Sequence, residues 1–105
     1  MHYRVRARFR EHTAGAFRQA LRDTIPKQQP DGEEIVDSMR RAVVTADGTI
    51  EWSEVCYCPT PLEHERSTVL DRYFDDLTTE TVDDYLTHEG EPFLAHLDRL
   101  AESRR

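Results

Sequence analysis

Residues 2–10 read His2-Tyr3-Arg4-Val5-Arg6-Ala7-Arg8-Phe9-Arg10, and apolar and polar side chains alternate through the whole run. A period of two over that length predicts a half-buried β-strand, with Tyr3, Val5, Ala7 and Phe9 on the covered face. The other face carries a row of guanidinium groups spaced about 6.5–7 Å apart along the strand. That row is a local feature. Residues 1–30 hold seven Lys and Arg against two acids, a net +5, whereas residues 31–105 hold seven against nineteen, a net −12.

The 105 residues fit one domain, 1–105, and 37% hydrophobic against 33% charged residues leaves only a thin core. A thin core makes burial by a partner subunit plausible. The overall charge of −7 argues against duplex nucleic acid as the main partner, because such binding rests on neutralising phosphates. It also disfavours an anionic membrane surface, and no apolar run approaches the roughly 18 residues of a membrane span. The chain opens directly on an amphipathic strand rather than a secretory leader, so the expected compartment is the cytoplasm.

Outward from the first strand, Thr13 fits an N-cap, and Ala16, Phe17, Ala20, Leu21 and Ile25 share one helical face, predicting a helix over 14–25 ended by Pro26. Residues 26–34 carry loop chemistry. Two strands are expected at 35–45 and 50–58 around Asp47-Gly48, a strong hairpin signal. A two-residue turn would set Val43 opposite Trp52, Arg41 opposite Glu54 and Met39 opposite Cys56. Thr60-Pro61-Leu62-Glu63 has the form of a capping box, and the stripe Leu62, Val69, Leu70, Tyr73, Phe74 and Leu77 predicts a helix to about 77. Residues 80–87 are ambiguous between a short edge strand and a loop. Gly90-Glu91-Pro92 opens a last helix with Phe93, Leu94, Leu97 and Leu100 inward, and the tail from Glu102 to Arg105 is expected to fray. The order β-α-β-β-α-(β)-α is that of a small α+β fold: an antiparallel sheet with helices on one face, ferredoxin-like if residues 80–87 form a strand.

Four constellations could carry chemistry. The arginine row, Arg4, Arg6 and Arg8, is open to three readings: ion pairing with acids such as Glu51, Glu54 or Asp37, a subunit interface, or a site for an anionic ligand. Arg41 opposite Glu54, beside Trp52, is either a partly buried ion pair or a pocket floor, with Glu54 as the acid-base candidate because burial raises a carboxyl pKa. Cys56-Tyr57-Cys58 with His64 supplies three potential metal ligands but no fourth, and two reduced thiols are the simpler account. His64-Glu65-Arg66 opens a helix whose own acids weigh against an anion site. His2, His12, His88 and His96 show no ligand spacing and are expected at the surface. No cofactor motif, glycine-rich phosphate loop or nucleophile elbow is present in the sequence.

The run Trp52-Ser53-Glu54-Val55-Cys56-Tyr57-Cys58-Pro59-Thr60-Pro61-Leu62, with His64-Glu65-Arg66 after it, resembles a block from a family of small uncharacterised bacterial proteins. Tyr3-Arg4-Val5-Arg6-Ala7 and Gly90-Glu91-Pro92-Phe93 are similar to that family too. The resemblance implies a compact bacterial α+β domain and brings no activity with it. On the residues themselves, the expected role is association, as a homodimer through the open sheet face. The alternative is a binding protein or enzyme holding a small anionic ligand with Arg4, Arg6, Arg8 and Arg41, and Glu54 as acid-base group.

Overall fold

The computed structural model describes residues 1–103; the last two positions of the expected frayed tail lie outside them. Strand β1 (His2–Phe9) forms where the alternation placed it, with Tyr3, Val5 and Ala7 buried. A short 3₁₀ turn leads into α1 (Ala14–Asp23), and a second 3₁₀ turn, Ile25–Lys27, follows it. The Thr13 hydroxyl donates back to the Arg10 carbonyl instead of capping the helix.

The expected strand over 35–45 is instead helix α2 (Gly32–Arg41) followed by a two-residue strand, β2 (Val43–Val44). The buried positions Ile35, Met39 and Ala42 recur at helical spacing. Glu33 and Glu34 in the first turn and Arg40 and Arg41 in the last suit the helix dipole. The hairpin to β3 (Ile50–Val55) survives, but its register differs from the expected one by a single residue: Val43 faces Glu51 and Val44 faces Ile50. The cause lies in the turn. Asp47 keeps a negative φ and its carboxylate accepts from the Thr45 hydroxyl (2.6 Å), the Thr49 hydroxyl (2.8 Å) and the Thr49 amide (3.1 Å). Only Gly48, at φ 87°, takes the left-handed position. The Gly48 amide bonds the Thr45 carbonyl, and the Thr45 amide bonds that of Thr49. This is the three-residue loop with a left-handed glycine, not the two-residue turn.

Strand β3 stops at Val55, three residues short of the expected end, so Cys56-Tyr57-Cys58 lies in a turn. The next helix, α3, covers 63–73 and is widened to a π-helical turn over Arg66–Leu70. The anticipated capping box does not form: the residue before the helix is Leu62, itself left-handed at φ 58°. Nor does the helix reach 77. Strand β4 (Phe74–Val82) takes over, so the fourth strand lies earlier than 80–87 and residues 83–87 are not part of it. A bulge in its pairing with β1, at left-handed Asp76, re-aligns Phe74 with Phe9. A short β5 (Glu91–Pro92) and α4 (Phe93–Ser103) complete the chain. At Gly90 (φ 148°) a Cβ would stand 2.2 Å from the Val44 carbonyl oxygen, so only glycine lets β5 close on β2.

The five strands form one antiparallel sheet in the order β4-β1-β3-β2-β5. Its first four strands have the interleaved split-βαβ arrangement of a ferredoxin-like sandwich, so the chain is a small α+β fold. The helices cover one face. Between them and the sheet sit Val5, Phe17, Ile35, Trp52, Phe74 and Phe93, all buried. No helix among the described residues is long and apolar enough to cross a membrane.

Candidate functional site

Alternation along β3 sends Trp52 and Glu54 to the helix-covered face and Glu51 and Ser53 to the other. Register confirms the separation: Tyr3 faces Glu54 and Val5 faces Trp52, while Arg4 faces Ser53 and Arg6 faces Glu51. Glu54 and the arginine row are therefore on opposite sides of the sheet. They cannot form the single site that the sequence suggested.

On the open face the arginines have acidic partners within the chain. Arg4 meets Glu80 at 2.8 Å and Glu51 at 4.0 Å, Arg6 meets Glu51 at 3.5 Å and Asp47 at 3.7 Å, and Arg8 meets Asp76 at 3.7 Å. Of the acids expected to pair, only Glu51 does so. Residues 83–90 lie over part of the same face as a strap. The Leu86 amide donates to the Ser53 hydroxyl (3.1 Å), Ser53 Oγ lies 2.6 Å from His88 Nε2, and His88 Nδ1 lies 3.3 Å from Glu51 Oε2. All three groups are satisfied when Ser53 donates to Nε2 and Nδ1–H donates to Glu51. His88 is thus buried, contrary to its expected surface position, with a side chain 4% exposed. The Ser53-His88-Glu51 chain has the connectivity of a hydrolase triad, but Ser53 is fully buried and His88 belongs to the segment that covers it. It fastens the strap. Ser53→Ala is expected to cost about 1–3 kcal/mol in urea unfolding and to speed hydrogen exchange at Leu86. Unchanged stability and exchange would rule out the fastening.

Arg41 is not cross-strand from Glu54. It ends α2, donating to the Ser53 carbonyl (2.9 and 3.2 Å), to Glu34 (3.1 Å) and to Ser38 (3.2 Å), with its guanidinium 4.4 Å from the Tyr85 ring centre. Glu34 also accepts from the Val55 amide (2.8 Å) and the Tyr85 hydroxyl (3.1 Å).

On the helix side, the end of β3, the start of α2 and the start of α3 surround a cavity of about 370 Å³. Its walls are Pro30, Val55 and the Cys56-Tyr57-Cys58 turn, and its polar groups are Asp31, Glu34, His64 and Glu65. His64 Nδ1 stands 2.6 Å from Asp31. Glu65, on the first turn of α3, is 1% exposed and lies against Glu54, also 1% exposed. The Trp52 indole N–H donates to Glu54 Oε1 at 2.6 Å, and neither Oε2 atom receives a hydrogen bond from a nitrogen or hydroxyl donor. Burial, above all, pushes both carboxyl groups up from the ordinary glutamate value. The hydrogen bond between them, added to the neighbouring charge, raises Glu65 further and leaves Glu54 as acceptor. Glu65 therefore keeps its proton through the neutral range and offers it to Glu54.

Cys56 and Cys58 are free thiols on this wall, and burial pushes the Cys56 thiol up, away from a reactive thiolate. Cys56, Cys58 and His64 share the cavity, but among the described residues no three His, Cys, Asp or Glu side chains are grouped as a metal-ligand set. Glu65 escaped the sequence reading although a signal existed: Leu62, Glu65 and Val69 share one helical stripe, so an acid stands on an apolar face. Asp31 and Glu34 carried no such mark. No protein-family model, curated protein or solved structure matches the chain.

Proposed function

We propose that the chain is a small-molecule-binding protein, with the Glu54–Glu65 pair at the end of its cavity equipped for proton transfer. The observation that carries this reading is Glu65: a buried carboxyl, bonded to a second buried carboxyl and reached by no nitrogen or hydroxyl donor at Oε2, lining a largely apolar cavity. Such a group costs stability, and perturbed carboxyl pairs in clefts concentrate where proton chemistry is done. Glu65 holds the proton that passes to a ligand, and Glu54 accepts its hydrogen bond while the proton is held. Trp52 fixes Glu54, and the proton returns to Glu65 from the ligand or from water. Asp31 orients His64, leaving Nε2 to meet a ligand. The resemblance noted in the sequence gives this proposal a bacterial setting, and the expectation from the opening strand a cytoplasmic one.

The open face supports a site less well, because its arginines are matched by acids of the same chain and the strap covers Ser53. Association as a homodimer through that face, the alternative that the thin core suggests, meets a face that the strap already covers in part.

The test is a fragment screen followed by amide NMR on the full chain. Binders are expected to shift resonances of residues 31, 34, 55–58, 64 and 65 together. If the fragments that bind instead shift the β1 and β4 arginines, or none shifts the cavity residues, the assignment is wrong.

A further inference from the structure

We propose that the cavity takes an organic cation, a protonated amine on a short apolar body, with its charge against the Glu54–Glu65 pair. This rests on the cavity being a ligand site and adds the class of ligand. Three observations support it independently. The first is the sign of the polar lining: Asp31, Glu34 and Glu65 are acids, and neither Lys nor Arg is among the lining residues. An anion entering there would be repelled.

The second is which of those charges is already matched. Glu34 is neutralised by Arg41 and further bonded by the Val55 amide and the Tyr85 hydroxyl. Asp31 is engaged by His64 and by the Gln28 side-chain amide at 3.4 Å. The Glu54–Glu65 pair has no ion pair with an Arg or Lys among the described residues, because Arg41 turns to Glu34 and the Ser53 carbonyl. Of the two, Glu65 lines the cavity, and its Oε2 receives no bond from a nitrogen or hydroxyl donor among the described residues. An ammonium group brings three donors and the compensating charge together.

The third is Tyr57, 87% exposed although it is a large aromatic, and placed on the cavity wall. An aromatic face at the mouth of an acidic cavity attracts a cation and covers an apolar body at the same time. The protein already makes this contact once, between Arg41 and Tyr85 on the far side of Glu34. A volume of about 370 Å³ suits a small ligand.

The test compares three probes with one apolar body: n-butylammonium, 1-butanol and butyrate, titrated into the full chain and followed by amide NMR. The amine is expected to bind at least tenfold more tightly than the alcohol, with no binding of butyrate, and to shift the amides of residues 55–58 and 64–65. Replacing both carboxyl groups of the pair, Glu54→Gln with Glu65→Gln, should weaken the amine about tenfold and the alcohol far less. Tyr57→Ala, at an exposed position with no bearing on folding, should weaken the amine several-fold. Alcohol or butyrate binding as tightly as the amine at these residues overturns the cation assignment while the cavity stands. Amine affinity untouched by Tyr57→Ala and by the Glu54→Gln, Glu65→Gln double variant also overturns it. If none of the three probes shifts the cavity amides, the cavity itself is not the ligand site.

Discussion

Urea unfolding of the wild-type chain is expected to show stability falling as pH rises through the neutral range, and Glu65→Gln to remove most of that fall. In the unfolded chain Glu65 gives up its proton near 4.5; in the folded chain burial, the bond to Glu54 and the charge of Glu54 keep the proton on. Above the unfolded value the folded state binds more protons than the unfolded state, so stability must decrease with pH. The contribution is complete below about pH 4.5 and is lost progressively as pH rises toward the folded value. One proton gives at most about 1.4 kcal/mol per pH unit, or about 3 kcal/mol between about pH 5.5 and 7.5. Asp47 and Asp75 act in the other direction, because hydrogen bonds from Thr45 and from Arg10 hold them below the usual carboxylate range. Their stabilisation is present above the unfolded aspartate value and is lost only as pH falls below about 4, outside this window. A glutamine amide can donate to Glu54 as the carboxylic acid does, so Glu65→Gln keeps the bond and discards the titration. The same slope in both proteins, or a flat wild-type profile, would mean that no shared proton exists.

The elements that could be read in the sequence are those whose apolar positions follow one period without interruption. Strand β1 alternates cleanly, and the helices α1 and α4 carry unbroken stripes that bury Phe17, Phe93 and Leu97. Where a polar residue stands on a buried stripe, the reading failed. Ser38 is fully buried between Ile35 and Ala42, and it breaks the helical pattern of α2; the β-branched pairs Ile35-Val36 and Val43-Val44 then looked like a strand. The cavity illustrates the same limit. Its polar groups come from positions 31, 34, 64 and 65, and only the antiparallel sheet with α2 and α3 on one side brings them together. The strap was hidden for another reason: residues 83–90 have no period, and what holds them is Ser53, Glu34 and Glu51, more than thirty residues away in sequence. Composition located the basic row correctly and said nothing of Glu80 and Asp76, the acids that meet it.

Trp52→Phe is expected to destabilise the chain by about 2–4 kcal/mol, much of it through Glu54 rather than through lost packing. Among the described residues the indole nitrogen is the one backbone or side-chain N–H donating to this buried carboxylate, at 2.6 Å, and phenylalanine keeps most of the ring contacts with Phe74 while removing that donor. Glu54 Oε1 would then be a buried acceptor without its indole donor, in surroundings where water cannot replace the loss. The packing part of the cost can be separated by repeating the substitution in a Glu54→Leu background, where no acceptor waits for the indole. There Trp52→Phe should cost about 1–2 kcal/mol less than in the wild type, a coupling that belongs to the hydrogen bond alone. A coupling near zero would show that the indole only fills space. Glu54 would then lack the fixed orientation needed to exchange a proton with Glu65, and the acid-base role proposed for the pair would fall with it, because two carboxylates trade a proton efficiently only when one of them is held still.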